Sequence, residues 1–193
     1  YLEGLALLTD ATLVLLELNI SFPNVKQGGM HFGVKADVAR EVVREARKAC
    51  RHKLMVKLSP NAEDVVALAR VCEEEGADAL SLTNTCLAMA VDVYKRKPVF
   101  DNIYAGLSGP AIRPVSLRMV HQAAHAVKIP VMGLGGIATW RDAVEFIMSG
   151  ASSVQVGTAT RIKPEQALDV IEGLEAFMAE QKIESIEEIR GIV

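Results

Sequence analysis

Aromatic side chains make up only 5% of this 193-residue chain, and cysteine occurs 3 times. Cys50, Cys72 and Cys86 are widely spaced, with no C-x-x-C pair and no Cys/His cluster, which argues against a zinc or iron–sulfur site within the chain. Unpaired cysteines suit a reducing compartment, so a cytoplasmic location is expected. Positive charge is not in excess. The formal net charge is -3 and Lys and Arg are scattered, which leaves no case for a nucleic-acid or anionic-membrane partner. Apolar runs are all too short to span a membrane. Low-complexity tracts are absent too, and with 50% apolar residues the composition is that of a globular protein.

Short apolar runs alternate with longer amphipathic ones. Strands are expected at Leu13–Asn19, Leu54–Leu58, Ala79–Thr83, Pro130–Leu134 and Ser153–Val156. Helices are expected at Ala36–Arg51, Ala62–Glu75 (capped by Asn61 and ended by Gly76), Val115–Val127, a segment between Thr139 and Gly150, and Pro164–Lys182. Between Asn84 and Pro114 the chain reads as a long irregular excursion, and loops of that length inside a compact domain usually serve function. Strict alternation of strand and helix demands a parallel sheet with right-handed crossovers. A doubly wound sheet usually places its phosphate-binding glycines after the first strand. Here the glycine-rich strand ends are the last two, where a (β/α)8 barrel holds phosphate after strands seven and eight. The fold expected is therefore α/β, a (β/α)8 TIM barrel of which strands 4 to 8 and their helices are present. Residues 1–193 then form a single domain, the C-terminal part of a barrel that runs to ~250 residues.

Barrel strands aim polar residues from their C-terminal ends into the active site. Those ends carry Asn19, Lys57, Thr83-Asn84-Thr85, Gly135-Gly136 and Gly157-Thr158. Asn19 alone could equally cap a turn. An ammonium at Lys57, flanked by Val56 and Leu58, is costly in a buried strand unless paired, and an anionic or electron-rich ligand would relieve that cost. Gly135 and Gly136 bare their N–H groups ahead of a helix, as an anion nest does, and Gly157-Thr158 adds another N–H and a hydroxyl. Glycines at Gly106 and Gly109 would let backbone approach a flat ring. His121 and His125 share a helix at i, i+4, but no carboxylate stands at a spacing that would complete a metal site.

Several strings, in order, resemble the catalytic subunit of dihydroorotate dehydrogenases of the NAD-linked class 1B type. They are Asn19-Ile20-Ser21-x-Pro23-Asn24-Val25-Lys26-x-Gly28-Gly29, Val56-Lys57-Leu58-Ser59-Pro60-Asn61, Asn84-Thr85, Gly106-Leu107-Ser108-Gly109-Pro110, Gly133-Leu134-Gly135-Gly136 and Gln155-Val156-Gly157-Thr158. The Val-Lys-x-Gly-Gly string favours this type over the dihydropyrimidine dehydrogenases, which share the barrel. The resemblance implies an FMN flavoprotein of pyrimidine biosynthesis, an oxidoreductase that converts dihydroorotate to orotate. It implies that Asn19 bridges substrate and flavin, and that Lys57 stabilises the reduced flavin electrostatically. Thr83 and Gly109 would touch the flavin, Asn84 and Thr85 would bind the substrate, and Gly135, Gly136, Gly157 and Thr158 would hold the FMN phosphate. Electrons would pass to NAD through a partner subunit carrying FAD and a [2Fe–2S] cluster, with the full-length chain a homodimer.

One position departs from the family pattern. Phe22 stands where the family has its catalytic cysteine base, and a phenyl ring cannot accept a proton. An impaired flavin-binding paralogue, a misread codon, or a replacement base such as Ser21 or Cys86 would each account for it.

Overall fold

The computed structural model describes residues 4–5, 8, 12–21 and 35–193. Five short strands form one parallel sheet: β1 (Leu16–Asn19), β2 (Leu54–Lys57), β3 (Ala79–Leu82), β8 (Val131–Leu134) and β9 (Ser153–Gln155). Their spatial order follows the chain, β1-β2-β3-β8-β9, and every neighbouring pair is parallel. A doubly wound sheet reverses its order at a switch point. This sheet never reverses, so it is wound in one direction, as a barrel wall is.

Side-chain alternation assigns the two faces of that wall. Leu18, Ile20, Leu54, Val56, Leu58, Leu80, Leu82 and Val131 belong to the hydrophobic core. They pack under the helices α1 (Ala36–Ala49), α2 (Val65–Glu74), α3 (Arg113–Ala124) and α4 (Trp140–Met148). Glu17, Asn19, Lys57, Ser81 and Thr83 alternate with these residues and so fall on the opposite face. Period-two patterning thus sets these polar residues on the inner face, beside Met55, Met132 and Leu134. The last helix, α5 (Gln166–Gln181), lies on α4 through a second apolar cluster, with the Trp140 and Phe177 ring centroids 5.4 Å apart. Gly173 leaves room for Trp140 there, because a Cβ would stand 2.5 Å from the indole Cγ. Among the described residues, no helix is long and apolar enough to cross a membrane.

Two expectations need correction. The second helix begins at Val65, not Ala62, and its cap is Asp64, whose carboxylate accepts the N–H groups of Val66 and Ala67 at 2.9 and 3.0 Å. Asn61 is used elsewhere. Its Nδ2 donates to the Thr85 carbonyl at 3.5 Å and its Oδ1 accepts the Leu87 N–H at 3.1 Å. The long excursion is not irregular either. It folds into an antiparallel ribbon, β4 (Cys86–Met89) against β7 (Tyr104–Leu107), extended by the short pair β5 (Val91–Asp92) and β6 (Lys97–Pro98). Ribbon pairing satisfies the backbone polar groups that a bare loop of this length would leave to water. The expected elements otherwise stand within a few residues, including the Thr139 cap, which with Asp142 forms a reciprocal capping box.

Candidate functional site

At the C-terminal ends of β2, β3, β8 and β9 lies an open cleft with about 460 Å³ of empty volume out to its mouth. The structure gathers nine of the residues singled out above along this cleft: Lys57, Thr83, Asn84, Thr85, Gly109, Gly135, Gly136, Gly157 and Thr158. The gathering follows from topology, since parallel strands end on the same side and bring their terminal loops together.

One end of the cleft is made of backbone. Gly135 and Gly136 have φ of +123° and +81°, values that L side chains rarely adopt. A Cβ on Gly136 would stand 2.7 Å from the Gly109 carbonyl oxygen, and one on Gly135 would stand 2.7 Å from the Ser116 Cβ. The N–H groups of Gly135 and Gly136 donate to no protein group among the described residues. Donors bared in sequence like this form a cradle for an anion such as a phosphate. Gly157 faces open space and Thr158 starts a short 3-10 turn. Gly133 has a different task. A Cβ there would meet the Phe146 ring at 2.6 Å, so its small size serves helix-on-sheet packing.

Behind the cradle, Arg113 is paired with Asp142 and, at 2.7 Å, with Glu145. Burial opposes ionisation of Asp142, but the N–H groups of Ala138 and Thr139, the Thr139 hydroxyl and the Arg113 charge together hold its carboxyl below the usual range. Thr83 also turns partly inward, its hydroxyl sharing a 2.7 Å hydrogen bond with the Ser116 hydroxyl.

The other end is made of side chains. Asn19 does not line the cleft; it reaches it through Ser21. The Ser21 hydroxyl donates to Asn19 Oδ1 at 2.7 Å and accepts from Asn84 Nδ2 at 2.9 Å, so one fully buried serine fixes the orientation of two amides. Asn84 Oδ1 in turn accepts the Thr85 N–H at 2.7 Å. Gly106, on β7, lets the ribbon close over Thr85, because a Cβ there would stand 2.7 Å from the Thr85 Cβ.

Lys57 has a partner that its strand context did not suggest. Its ammonium lies 3.3 Å from Glu17 Oε1, and the Ser81 hydroxyl donates to Glu17 Oε2 at 3.0 Å. The expected need for a ligand charge is thus met within the chain. Glu17 sits two residues before Asn19 on β1, so strand alternation puts it on the same face, one step back from the strand end. Ser108, Ile112 and Leu134 also line the cleft without having been singled out as ligands. Ser21 and Cys86 do not line the cleft, and burial pushes the Cys86 thiol pKa up, which disfavours its thiolate. Phe22 lies outside the described residues, so the base position has no structural description.

Comparisons with known proteins agree on one family. A family model described as "Dihydroorotate dehydrogenase" matches residues 1–178. The catalytic subunit of dihydroorotate dehydrogenase B (NAD(+)) from Petrotoga mobilis is 51% identical over 193 residues, covering all of this chain and 64% of its own length. The corresponding protein of Alkaliphilus metalliredigens is 51% identical over 191 residues, covering 99% of this chain and 63% of its own length. The crystal structure of DHODH in complex with ferulenol from Eimeria tenella has a TM-score of 0.77 and 25% identity, and covers 93% of this chain and 54% of that one. The chain spans a little under two thirds of the length of these curated relatives.

Proposed function

The chain belongs to the dihydroorotate dehydrogenase family, and from that premise we propose that it is the FMN-binding part of a catalytic subunit that oxidises dihydroorotate to orotate in pyrimidine biosynthesis. The observation that carries this reading is a single cleft with unused backbone donors at one end and oriented amides with an ammonium at the other. FMN requires both: an anion cradle for its phosphate, and polar groups beside the ring where the substrate stacks. Gly135 and Gly136 fit the phosphate, since both line the cleft and their N–H groups have no protein acceptor among the described residues.

Bound FMN would supply the hydride acceptor for C6 of dihydroorotate while a base takes the C5 proton. In this reading Gly135, Gly136, Gly157 and Thr158 hold the phosphate, and Thr83 and Gly109 border the ring. Lys57 presents its ammonium where negative charge develops, an interaction worth most in a water-poor site. Asn84 and Thr85 bind the substrate's amide and carboxylate groups. Asn19, locked through Ser21, spans substrate and cofactor. No proton acceptor stands at Phe22, so proton removal is the slow step of this protein.

An FAD- and [2Fe–2S]-bearing partner subunit, NAD as final acceptor, a homodimer and a cytoplasmic location belong to the same proposal. An interface is supported by the ribbon, on which Met89, Tyr94, Phe100 and Tyr104 are exposed large side chains. The test is spectroscopic. The complete protein should purify yellow with bound FMN, and dihydroorotate should bleach the flavin under anaerobic conditions. A colourless protein that takes up no FMN would refute the reading. A second reading, a flavin-binding paralogue without turnover, is favoured specifically by Phe22; it predicts retained FMN and no bleaching.

A further inference from the structure

Three polar side chains on the inner face of the sheet form a cluster just beneath the cleft. Glu17, Lys57 and Ser81 come from three adjacent strands, and the register sets Lys57 beside both Asn19 and Ser81. Only Lys57 of the three lines the cleft. Its side chain is 16% exposed, against 28% for Glu17, and Ser81 is fully buried. The Ser81 hydroxyl, donating at 3.0 Å, leaves the Glu17 carboxylate one oxygen to face the ammonium, 3.3 Å away.

We infer that Glu17 is a positioning residue that sets how much positive charge Lys57 presents to the cleft, and thereby tunes the reduction potential of a cofactor bound there. A lone ammonium at this place would favour any state of the cofactor that carries added negative charge. A carboxylate in contact with that ammonium cancels part of its field, because opposite charges this close act on a third group nearly as a dipole. Glu17 also restrains a flexible side chain whose four-carbon stem allows many rotamers. Ser81 completes the arrangement by holding the carboxylate from its other oxygen. The pair therefore trades electrostatic strength for a fixed ammonium position and a lower potential.

This inference rests on the proposed FMN site, and the experiment separates the two. In the complete protein, FMN binding is followed by fluorescence quenching and the two-electron midpoint potential by spectroelectrochemistry, for the parent, E17Q, E17D and Lys57→Met forms. E17Q keeps the shape and a hydrogen-bonding oxygen for Ser81 but removes the charge. Its midpoint potential should rise, by the equivalent of a tenfold preference for the reduced form, about 30 mV for a two-electron couple. FMN affinity in the oxidised state should change less than threefold. E17D should return most of the parent potential. In a Lys57→Met background E17Q should produce less than half that rise, since the carboxylate then has no ammonium to mask. Should E17Q not fold, Glu17→Met supplies the neutral form. FMN bound with an unchanged potential in the neutral variant overturns the inference and leaves the FMN reading intact. A parent protein that binds no FMN overturns both.

Discussion

The two ends of the cleft are built from different materials. At the glycine end the donors are chiefly main-chain N–H groups, with the Thr158 hydroxyl beside them, and Gly135 and Gly136 require the absence of a side chain. At the opposite end the geometry depends on side chains in relay, Asn19 to Ser21 to Asn84 and Ser81 to Glu17 to Lys57. The backbone donors of Gly135 and Gly136 are fixed by the fold and tolerate no added Cβ. Side-chain relays tolerate substitution sterically but lose orientation when one member is removed. Binding should therefore fail abruptly at the first end and degrade by steps at the second.

The largest effect is expected at the base position, in the family motif that also holds Ser21. Phe22→Cys should raise the rate of flavin reduction by dihydroorotate about 10²–10⁴-fold, the usual contribution of a general base. Anaerobic stopped-flow bleaching measures it, and an unchanged rate would show that proton removal is not limited there. Next, Gly136→Ala forces a Cβ to 2.7 Å from the Gly109 carbonyl at a φ of +81°. FMN affinity should fall by roughly two orders of magnitude, in keeping with ~1–3 kcal/mol for a strained backbone position; near-parent affinity by fluorescence titration would break the contrast drawn above. Ser21→Ala should act more gently. Releasing both amides should raise the KM for dihydroorotate roughly fivefold, about one hydrogen bond's worth of ~1 kcal/mol, with a smaller loss of FMN affinity because Asn19 also reaches the cofactor. Equal losses in both would mean that the two ends are not independent.

The smallest effect lies outside the cleft. Arg44 and Arg40 hold the Glu75 carboxyl at about 2, below its ordinary 4.5, and tie α1 to the end of α2. A depressed carboxyl pKa contributes stability that is present above the unfolded value and lost as pH falls from about 4.5 towards 2. Glu75→Gln should be slightly less stable than the parent at neutral pH and should lose less stability on acidification across that window. Thermal melts at pH 7, 4 and 2.5 would show the two curves converging.

Much of the barrel wall could be read directly from the chain. Leu54 to Leu58 and Ala79 to Thr83 are short apolar runs, each followed by turn or helix signals, so strand identity and the polar residues at the strand ends followed locally. The ribbon was not legible. Its pairs, such as Cys86 with Leu107 and Met89 with Tyr104, join residues 21 and 15 positions apart, and nothing local specifies that pairing. Asn61 shows the same limit on a smaller scale. Its type suits a helix cap, and only the approach of Thr85 and Leu87 gives it a different use. Asp64, three residues on, was an equally good cap in composition.

Lys57 marks the division most clearly. The sequence by itself determined that an ammonium would end an otherwise apolar strand and would need a negative or electron-rich partner, because desolvating a charge is costly wherever the strand sits. Which partner it takes was decided by strand order. Setting β1 beside β2 and β2 beside β3 brings Glu17, forty residues away in the chain, to 3.3 Å. Charge demand is a property of a residue, whereas its satisfaction is a property of neighbours that only the folded sheet supplies.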